Sequence, residues 1–220
     1  MFNLRFVPMA HAAQAEHQRD PERTRAEILE VATREFAENG YSGARVDEIA
    51  EQTRTTKRML YYYFASKEGL YTEVLERAYS DIRAAEQSVD VEHLDPLAAI
   101  RRLAELTFDH HEAHPDFIRL VSIENIPRAE HMRASGRFAD LNMPAIDRIA
   151  RILERGRAEG TFTRDADAVD VHMLISAYCV FRIANRHTWE TLFNRDLLDP
   201  ETREHHRTML GDIVVDYLTG

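Results

Sequence analysis

The chain has 220 residues with 28 basic and 38 acidic side chains, a formal net charge of −10 and a hydrophobic content of 44%. This length and composition allow one or two domains with a buried core, whereas the negative charge excludes non-specific nucleic-acid binding over the whole surface. A single cysteine cannot form an internal disulfide, and no apolar run approaches the ~18 residues of a membrane helix, so we predict a cytoplasmic protein without a membrane partner.

Apolar residues recur with helical periodicity, which predicts an all-α fold that begins with a unit of four helices. Residues 1–20 are predicted to form a flexible tail. In the first helix, Asp20 is the predicted cap and Gly40 the predicted end. Three more helices are predicted over residues 46–52, 56–64 and 66–88, and the last two are capped by Thr56 and Ser66.

Longer helices are predicted in the rest of the chain, several of them opened by a proline. They are predicted over residues 96–114, 115–126, 144–160, 165–191 and 201–218, with Pro144 as the start of the third. Segment 165–191 is apolar almost all round, which a helix tolerates if it is buried on several sides or shared with a second chain. We therefore predict that this helix and the last one pair with their copies in a four-helix dimer interface.

The stretch TTKRMLYYYF, residues 55–64, places four consecutive aromatic rings shortly after two basic residues. Wound as a helix, it buries Leu60, Tyr63 and Phe64 on one face. The opposite face is predicted to carry Lys57, Arg58, Tyr61 and Tyr62. Cations and tyrosine hydroxyls donate hydrogen bonds to phosphate oxygens, and two short helices with a brief turn have the spacing of a helix-turn-helix. DNA contact is therefore predicted here, with ordinary exposed tyrosines as the alternative.

The sequence ILEVATREFAENGYSGARVDEIAEQTRTTKRMLYYYFASKEGLYTEVLE resembles the N-terminal domain of the TetR family of bacterial repressors. The similar motifs are the NGY turn, the V-x-x-IA second helix and K-x-x-LYYYF-x-SKE-x-L, within residues 24–75. The resemblance implies a helix-turn-helix DNA-binding domain over residues 21–66 and a larger helical ligand-binding and dimerisation domain over 67–220. It also implies a homodimer that binds a palindromic double-stranded DNA operator and is released by a small-molecule effector. Control by a protein partner is an alternative to the effector.

Carried over by position, the resemblance assigns DNA contacts to the third helix, the residues just before it and the start of the fourth helix. These residues are Thr55, Thr56, Lys57, Arg58, Tyr61, Tyr62 and Lys67. Arg45 and Arg54 are two further candidates for DNA contact, at places where the chain departs from the family pattern. Arg45 follows Ala44, where the family usually has a capping Thr or Ser, and Arg54 replaces a common turn glycine. For Arg54, a solvated turn residue is the alternative to DNA contact.

The segment FDHHEAHPDF places His110 and His114 on one helical face, where they are close enough to share a metal. A zinc-protease signature beginning at His111 and Glu112 needs a histidine at position 115, which is Pro115. We therefore predict neither a metal site nor a cofactor, and a wall of a polar pocket or an exposed helix end is favoured. A helical metal-dependent enzyme using this segment is the alternative function.

A ligand cavity in the C-terminal domain is predicted from aromatic residues interspersed with polar ones. The candidates are Phe108, Phe117, Ile123, Glu124, Asn125, Met132, Tyr178, Phe181, Arg182, Asn185 and Trp189, with core packing as the alternative for most of them. Arg182 lies in an apolar helix, where an unpaired guanidinium is costly. It is predicted to pair with Glu124, to cross the dimer interface, or to bind an anionic, aromatic effector.

Overall fold

The computed structural model describes residues 21–220, which form α-helices joined by short connections. The predicted tail and the predicted cap Asp20 lie outside the described residues. The helices are α1 (Pro21–Gly43), α2 (Val46–Gln52), α3 (Lys57–Phe64), α4 (Lys67–Ser88), α5 (Pro96–Ala113), α6 (Pro115–Asn125), α7 (Glu130–Ser135), α8 (Phe138–Ala158), α9 (Ala168–Ala184), α10 (Arg186–Phe193) and α11 (Pro200–Thr219). The predicted all-α class is confirmed, and no described segment forms a strand.

The N-terminal unit is built on a core that α1, α2 and α3 share with the first half of α4. Its buried side chains include Ile28, Phe36, Ile49, Leu60, Phe64 and Tyr71. The predicted caps are confirmed: the hydroxyl of Thr56 accepts from the Met59 amide at 3.3 Å, and that of Ser66 from the Gly69 amide at 2.9 Å. Gly40, with φ of 69°, breaks α1 one turn before its end.

A second core holds the C-terminal helices α5, α8, α9 and α11 together. An ion-pair network on the surface of this core joins α5 to α9 and α11. Its contacts are Arg182–Glu112 at 3.1 Å, Arg203–Glu112 at 2.9 Å, Arg203–Asp109 at 2.7 Å, Arg207–Asp109 at 3.2 Å and Arg207–Glu105 at 2.8 Å. Three arginines and three carboxylates alternate across the network, so each charge lies beside an opposite one.

Helices α6 and α7 lie between the two cores, since α6 packs against α1 and contributes Leu120 to the N-terminal core. Phe138, the first residue of α8, is buried in the same core. Helix α7 was not predicted from the sequence, because its six residues are too few to show a period. The N-terminal unit is therefore packed directly on elements of the C-terminal half.

Two predicted helix boundaries are wrong. Helix α8 begins at Phe138, and Pro144 lies inside it. The turn before the proline is held by burial of the Phe138 ring against Tyr79, at 5.5 Å between centroids, and by a hydrogen bond from the Asn142 side chain to the Phe138 carbonyl at 2.7 Å. Tertiary packing thus outweighs the boundary signal of the proline.

The segment predicted as one helix over 165–191 is two, because the chain turns at Asn185 between α9 and α10. The carboxylate of Asp196 holds this turn through a two-point contact with the guanidinium of Arg186, at 2.9 and 2.6 Å. Among the described residues, no helix is long and apolar enough to span a membrane.

Candidate DNA-binding surface and ligand cavity

The start of α2 is fixed by a carboxylate from α1. Glu35 is buried and accepts a hydrogen bond from the backbone N–H of Arg45 at 3.0 Å. Ala44, which replaces the usual capping residue, is also buried and supplies no such bond. The exposed side chain of Arg45 lies 3.6 Å from Glu48. Glu35 therefore anchors α2 in place of the missing hydroxyl, and Arg45 remains on the surface.

The turn between α2 and α3 contains a residue in the left-handed region. Thr53 is buried and its hydroxyl donates to the Ile49 carbonyl at 2.8 Å. Arg54 then adopts φ of 51°, a conformation that glycine enters without steric cost. This geometry explains the glycine that the TetR pattern often has at this position, and it leaves the Arg54 side chain exposed.

Helix α3 has one buried face and one exposed face, as predicted from its spacing, but Tyr63, predicted to be buried, is half-buried against the core. Leu60 and Phe64 are 1% and 3% exposed, whereas Tyr61 and Tyr62 are 39% and 78% exposed. Lys57 and Arg58 are exposed on the same outer side. Exposed rings beside cations leave hydrogen-bond donors free for an anionic partner.

Like Arg45, the candidate DNA-contacting side chains Lys57 and Thr56 have partners within the protein. Lys57 Nζ lies 3.1 Å from the carboxylate of Asp47 on α2, and the Thr56 hydroxyl is used by the cap of α3. Thr55 is half-buried. Lys57 can exchange its exposed carboxylate for a phosphate at little cost, because an exposed ion pair contributes at most about 1 kcal/mol.

Lys67, the first residue of α4, is half-buried above the ring of Tyr41, with Nζ 5.0 Å from the ring centroid. Partial burial lowers the pKa of the Lys67 ammonium group, and the Glu35 carboxylate opposes this shift. The link from α3 to α4 is a tight turn at Ala65, with φ of 61° and ψ of −45°, closed by the Ser66 amide on the Phe64 carbonyl at 2.6 Å. This turn sets where Lys67 stands relative to α3.

A cavity of about 300 Å³ opens between α9, α10 and α11. Four of the predicted ligand residues line it, namely Tyr178, Phe181, Arg182 and Trp189. The sequence prediction missed its other lining residues, Arg195, Leu197, His206 and Met209. The Trp189 ring packs edge-on against Phe181 at 5.3 Å and contacts Phe193 at 4.5 Å. The cavity therefore combines aromatic walls with two arginines.

The other predicted ligand residues lie elsewhere. Phe108 is buried beneath the Arg182 guanidinium, 4.1 Å from ring centroid to Cζ, and the amide groups of Asn125 and Asn185 donate to the Val121 and Phe181 carbonyls. Phe117 lines a separate cavity of about 480 Å³ between α1, α4, α5 and α6. Ile123, Glu124 and Met132 belong to the α6–α7 region, where Met132 packs on the N-terminal core.

The prediction that Arg182 pairs with Glu124 is wrong. Its NH1 donates to Glu112 at 3.1 Å and its NH2 to the Leu197 carbonyl at 2.8 Å, whereas Glu124 pairs with His131. Glu112 is on α5, which packs directly against α9, and this tertiary proximity is invisible in the sequence. The two outer nitrogens of Arg182 are thus engaged by the protein.

Two buried nitrogens at the cavity have no hydrogen-bond partner among the described residues. They are Arg182 Nε and His206 Nδ1, on residues that are 4% and 7% exposed. Burial, followed by the charge of Arg182, lowers the pKa of His206. Arg195 is exposed and forms no ion pair within residues 21–220. A ligand with an oxygen acceptor would meet these groups.

The histidine segment does not converge on a metal site. The rings of His110 and His114 stack at 4.2 Å, and Nδ1 of His114 lies 2.8 Å from the His110 carbonyl. Glu112 is bound by arginines, and burial lowers the pKa of His111 to about 3. Across residues 21–220, no group of three His, Cys, Asp or Glu side chains is arranged to hold a metal ion.

Burial also raises the pKa of Cys179 to about 12, which keeps this thiol inert.

Comparison with known proteins matches separate family models to the N-terminal unit and to the C-terminal half of the chain. A family model described as bacterial regulatory proteins of the tetR family matches residues 28–74, and one described as a tetracyclin repressor-like C-terminal domain matches residues 96–214. The HTH-type transcriptional repressor NicS of Pseudomonas putida is 32% identical over 194 residues, which cover 88% of this chain and 92% of NicS.

Two solved structures have the same fold over most of the chain. The transcriptional regulator SCO4942 from Streptomyces coelicolor is 29% identical with a TM-score of 0.63, covering 88% of this chain and 97% of that one. The ketosteroid transcriptional regulator KstR2 of Mycobacterium tuberculosis is 25% identical with a TM-score of 0.65, covering 89% and 95%. The enzyme alternative is therefore wrong, and the chain belongs to the TetR family of bacterial transcriptional regulators.

Proposed function

We propose that this protein is a cytoplasmic repressor that binds a palindromic double-stranded operator as a homodimer and leaves it when a small molecule enters the α9–α11 cavity. The observation that carries the proposal is the division of α3 into a buried apolar face and an exposed face of rings and cations. A helix of this kind, held by α2 behind it, is the element that a helix-turn-helix places in the major groove.

In this proposal the cations and tyrosines of the unit divide their contacts between phosphates and bases. Lys57, Tyr61 and Lys67 contact phosphates, which position the protein on the duplex. Arg58 and Tyr62 extend from the exposed face of α3 toward the base edges. The acidic remainder of the chain repels the duplex, and this orients the protein during association.

The salt dependence of operator binding tests these contacts. Each lost phosphate contact lowers the slope of log K against log salt by about one unit. We expect Lys57→Ala and Lys67→Ala each to weaken operator binding and to lower the slope by about this amount. Arg151→Ala is the control, because Arg151 is an exposed cation on α8, in the C-terminal half. Unchanged slopes in both lysine variants would contradict the assignment.

The dimer proposal is supported by apolar side chains that α9 and α11 leave exposed in the single chain. Val169, Met173 and Phe181 on α9 are 56%, 62% and 43% exposed, and Ile213 on α11 is also exposed. Pairing of these helices with their copies buries this surface in a two-fold interface. The two α3 helices then stand about 34–36 Å apart and read a palindrome.

The effector proposal rests on the aromatic walls and positive charge of the α9–α11 cavity. Arg195 has no carboxylate partner in the described chain, and Arg182 retains one free N–H. A planar aromatic carboxylate would place its ring against Trp189 and its charge near these arginines. Because the outer nitrogens of Arg182 are already used, Arg195 is the group that we expect to select for the negative charge.

The single tryptophan of the chain, Trp189, reports on this cavity by its fluorescence. We expect benzoate to change the emission and to bind about fivefold more tightly than benzamide, since a charge-assisted contact adds ~1 kcal/mol. Arg195→Gln removes this preference, and Arg151→Gln leaves it intact. Equal binding of both probes would contradict an anionic effector. No response to either probe, with operator release only on adding cell protein, would favour the protein-partner alternative.

A further inference from the structure

The α6–α7 junction is organised around a buried carboxylate. Glu124, 1% exposed, accepts hydrogen bonds from the backbone amides of His131 at 2.9 Å and Met132 at 3.2 Å. The same carboxylate lies 3.0 Å from Nδ1 of His131. Ala129, at the cap position of α7, supplies no side-chain acceptor. Glu124 therefore caps α7 from α6 and fixes the orientation of the His131 ring.

The His131 ring packs against two tyrosines of the N-terminal unit. Its centroid lies 4.4 Å from that of Tyr41 and 4.9 Å from that of Tyr71. Tyr41 follows the break of α1 at Gly40 and lies in the last turn of that helix. The three rings form one cluster of tilted and edge-on contacts, because Tyr41 and Tyr71 are themselves 5.1 Å apart.

Tyr41 also contacts Lys67, whose ammonium group lies over the ring at 5.0 Å. A cation within about 6 Å of an aromatic centroid is attracted to the ring face. Lys67 forms no ion pair within residues 21–220, so the contact with the Tyr41 ring is the one that holds its ammonium group beside the N-terminal core. Contacts thus run from Glu124 on α6 through His131 on α7 and Tyr41 to Lys67 at the start of α4.

We propose that His131, held by Glu124, is a positioning residue for DNA binding: it fixes the Tyr41 ring, and this ring holds the Lys67 ammonium group in place for a phosphate. The inference rests on the proposed function, which assigns that phosphate contact to Lys67. Glu124 and His131 lie within the part of the chain that matches the C-terminal family model, residues 96–214.

The test compares ring removal in two backgrounds. Tyr41→Leu removes the ring face, whereas Tyr41→Phe retains it and is the matched control. His131→Asn keeps an N–H near the position of Nδ1 for Glu124 but removes the ring that contacts Tyr41. Each change is made in the parent chain and in Lys67→Ala, and operator affinity is measured with its salt slope and with the thermal stability of each variant.

We expect Tyr41→Leu and His131→Asn to weaken operator binding about two- to fivefold in the parent and to have no effect on binding in the Lys67→Ala background. Tyr41→Phe should bind like the parent. Equal losses in both backgrounds would show that the rings act only through stability, and the positioning role would be wrong while the Lys67 contact stands. If Lys67→Ala itself binds like the parent, the phosphate contact and the inference fail together. If His131→Asn does not fold, the comparison of Tyr41→Leu with Tyr41→Phe in the two backgrounds decides whether the ring positions Lys67.

Discussion

The turn from α3 to α4 is closed so tightly that it leaves no room for a side chain at position 69. A methyl group built on Gly69 would meet the Phe64 carbonyl oxygen, far inside the 3.0 Å limit of real contacts. In most helices Gly→Ala stabilises by about 0.5–1 kcal/mol. Here the turn must open, and overpacking of this kind costs ~1–3 kcal/mol. We therefore expect Gly69→Ala to lower the free energy of unfolding, against the usual sign.

The functional effect of Gly69→Ala follows from what the turn positions. Opening it moves Lys67 away from Tyr41 and α3, so we expect operator binding to fall at least by the two- to fivefold expected for loss of the Tyr41 ring, at a temperature where the variant is folded. Gly43→Ala is the matched control in the same unit, because its methyl group meets only Asn39 Cβ at an ordinary 3.5 Å. Thermal unfolding and operator titration of both variants decide the question. A Gly69→Ala protein that equals Gly43→Ala in both measurements refutes the reasoning.

Three further outcomes are expected. Sedimentation at micromolar concentration should show a dimer, and a monomer would contradict pairing through α9 and α11. Burial lowers the pKa of His111 to about 3 and that of His110 to about 4. Below their unfolded pKa of about 6.5 the unfolded chain therefore binds more protons, and stability falls as pH decreases, by up to ~1.4 kcal/mol per pH unit for each histidine. Denaturant titrations between pH 7 and 4.5 should show a shallower fall for His111→Phe. Arg182→Met should weaken the response to benzoate, because it removes the one free N–H of Arg182, with little change in operator affinity, and a variant that fails to dimerise would make Arg182 purely structural.

The N-terminal unit was predictable because its signals are local. Caps such as Thr56 and Ser66 act on amides three residues away, and the two faces of α3 follow from a period of 3.6 residues. The same locality explains the predicted starts of α5 at Pro96 and of α6 at Pro115, which the structure confirms.

The errors occurred where distant parts of the chain decide the structure. The start of α8 depends on the packing of Phe138 against Tyr79, which is far away in sequence. The partner of Arg182 was missed because Glu112 becomes its neighbour only when α5 packs on α9. The cavity residues Arg195 and His206 come after the break between α9 and α10 in the sequence. Because the prediction was one continuous helix over 165–191, it gave no reason to place these two residues near Tyr178.

The alternating ion-pair network of α5, α9 and α11 affects how salt experiments on this protein are interpreted. Its charges are balanced and partly shielded from solvent, with Arg207 and Glu105 side chains each 17% exposed, and such pairs are screened much less than exposed ones. Raising the ionic strength should therefore leave the C-terminal bundle intact while it competes with the exposed cations of α3. The ionic-strength dependence of operator affinity then measures the protein–DNA interface itself, free of a contribution from loosening of the C-terminal half.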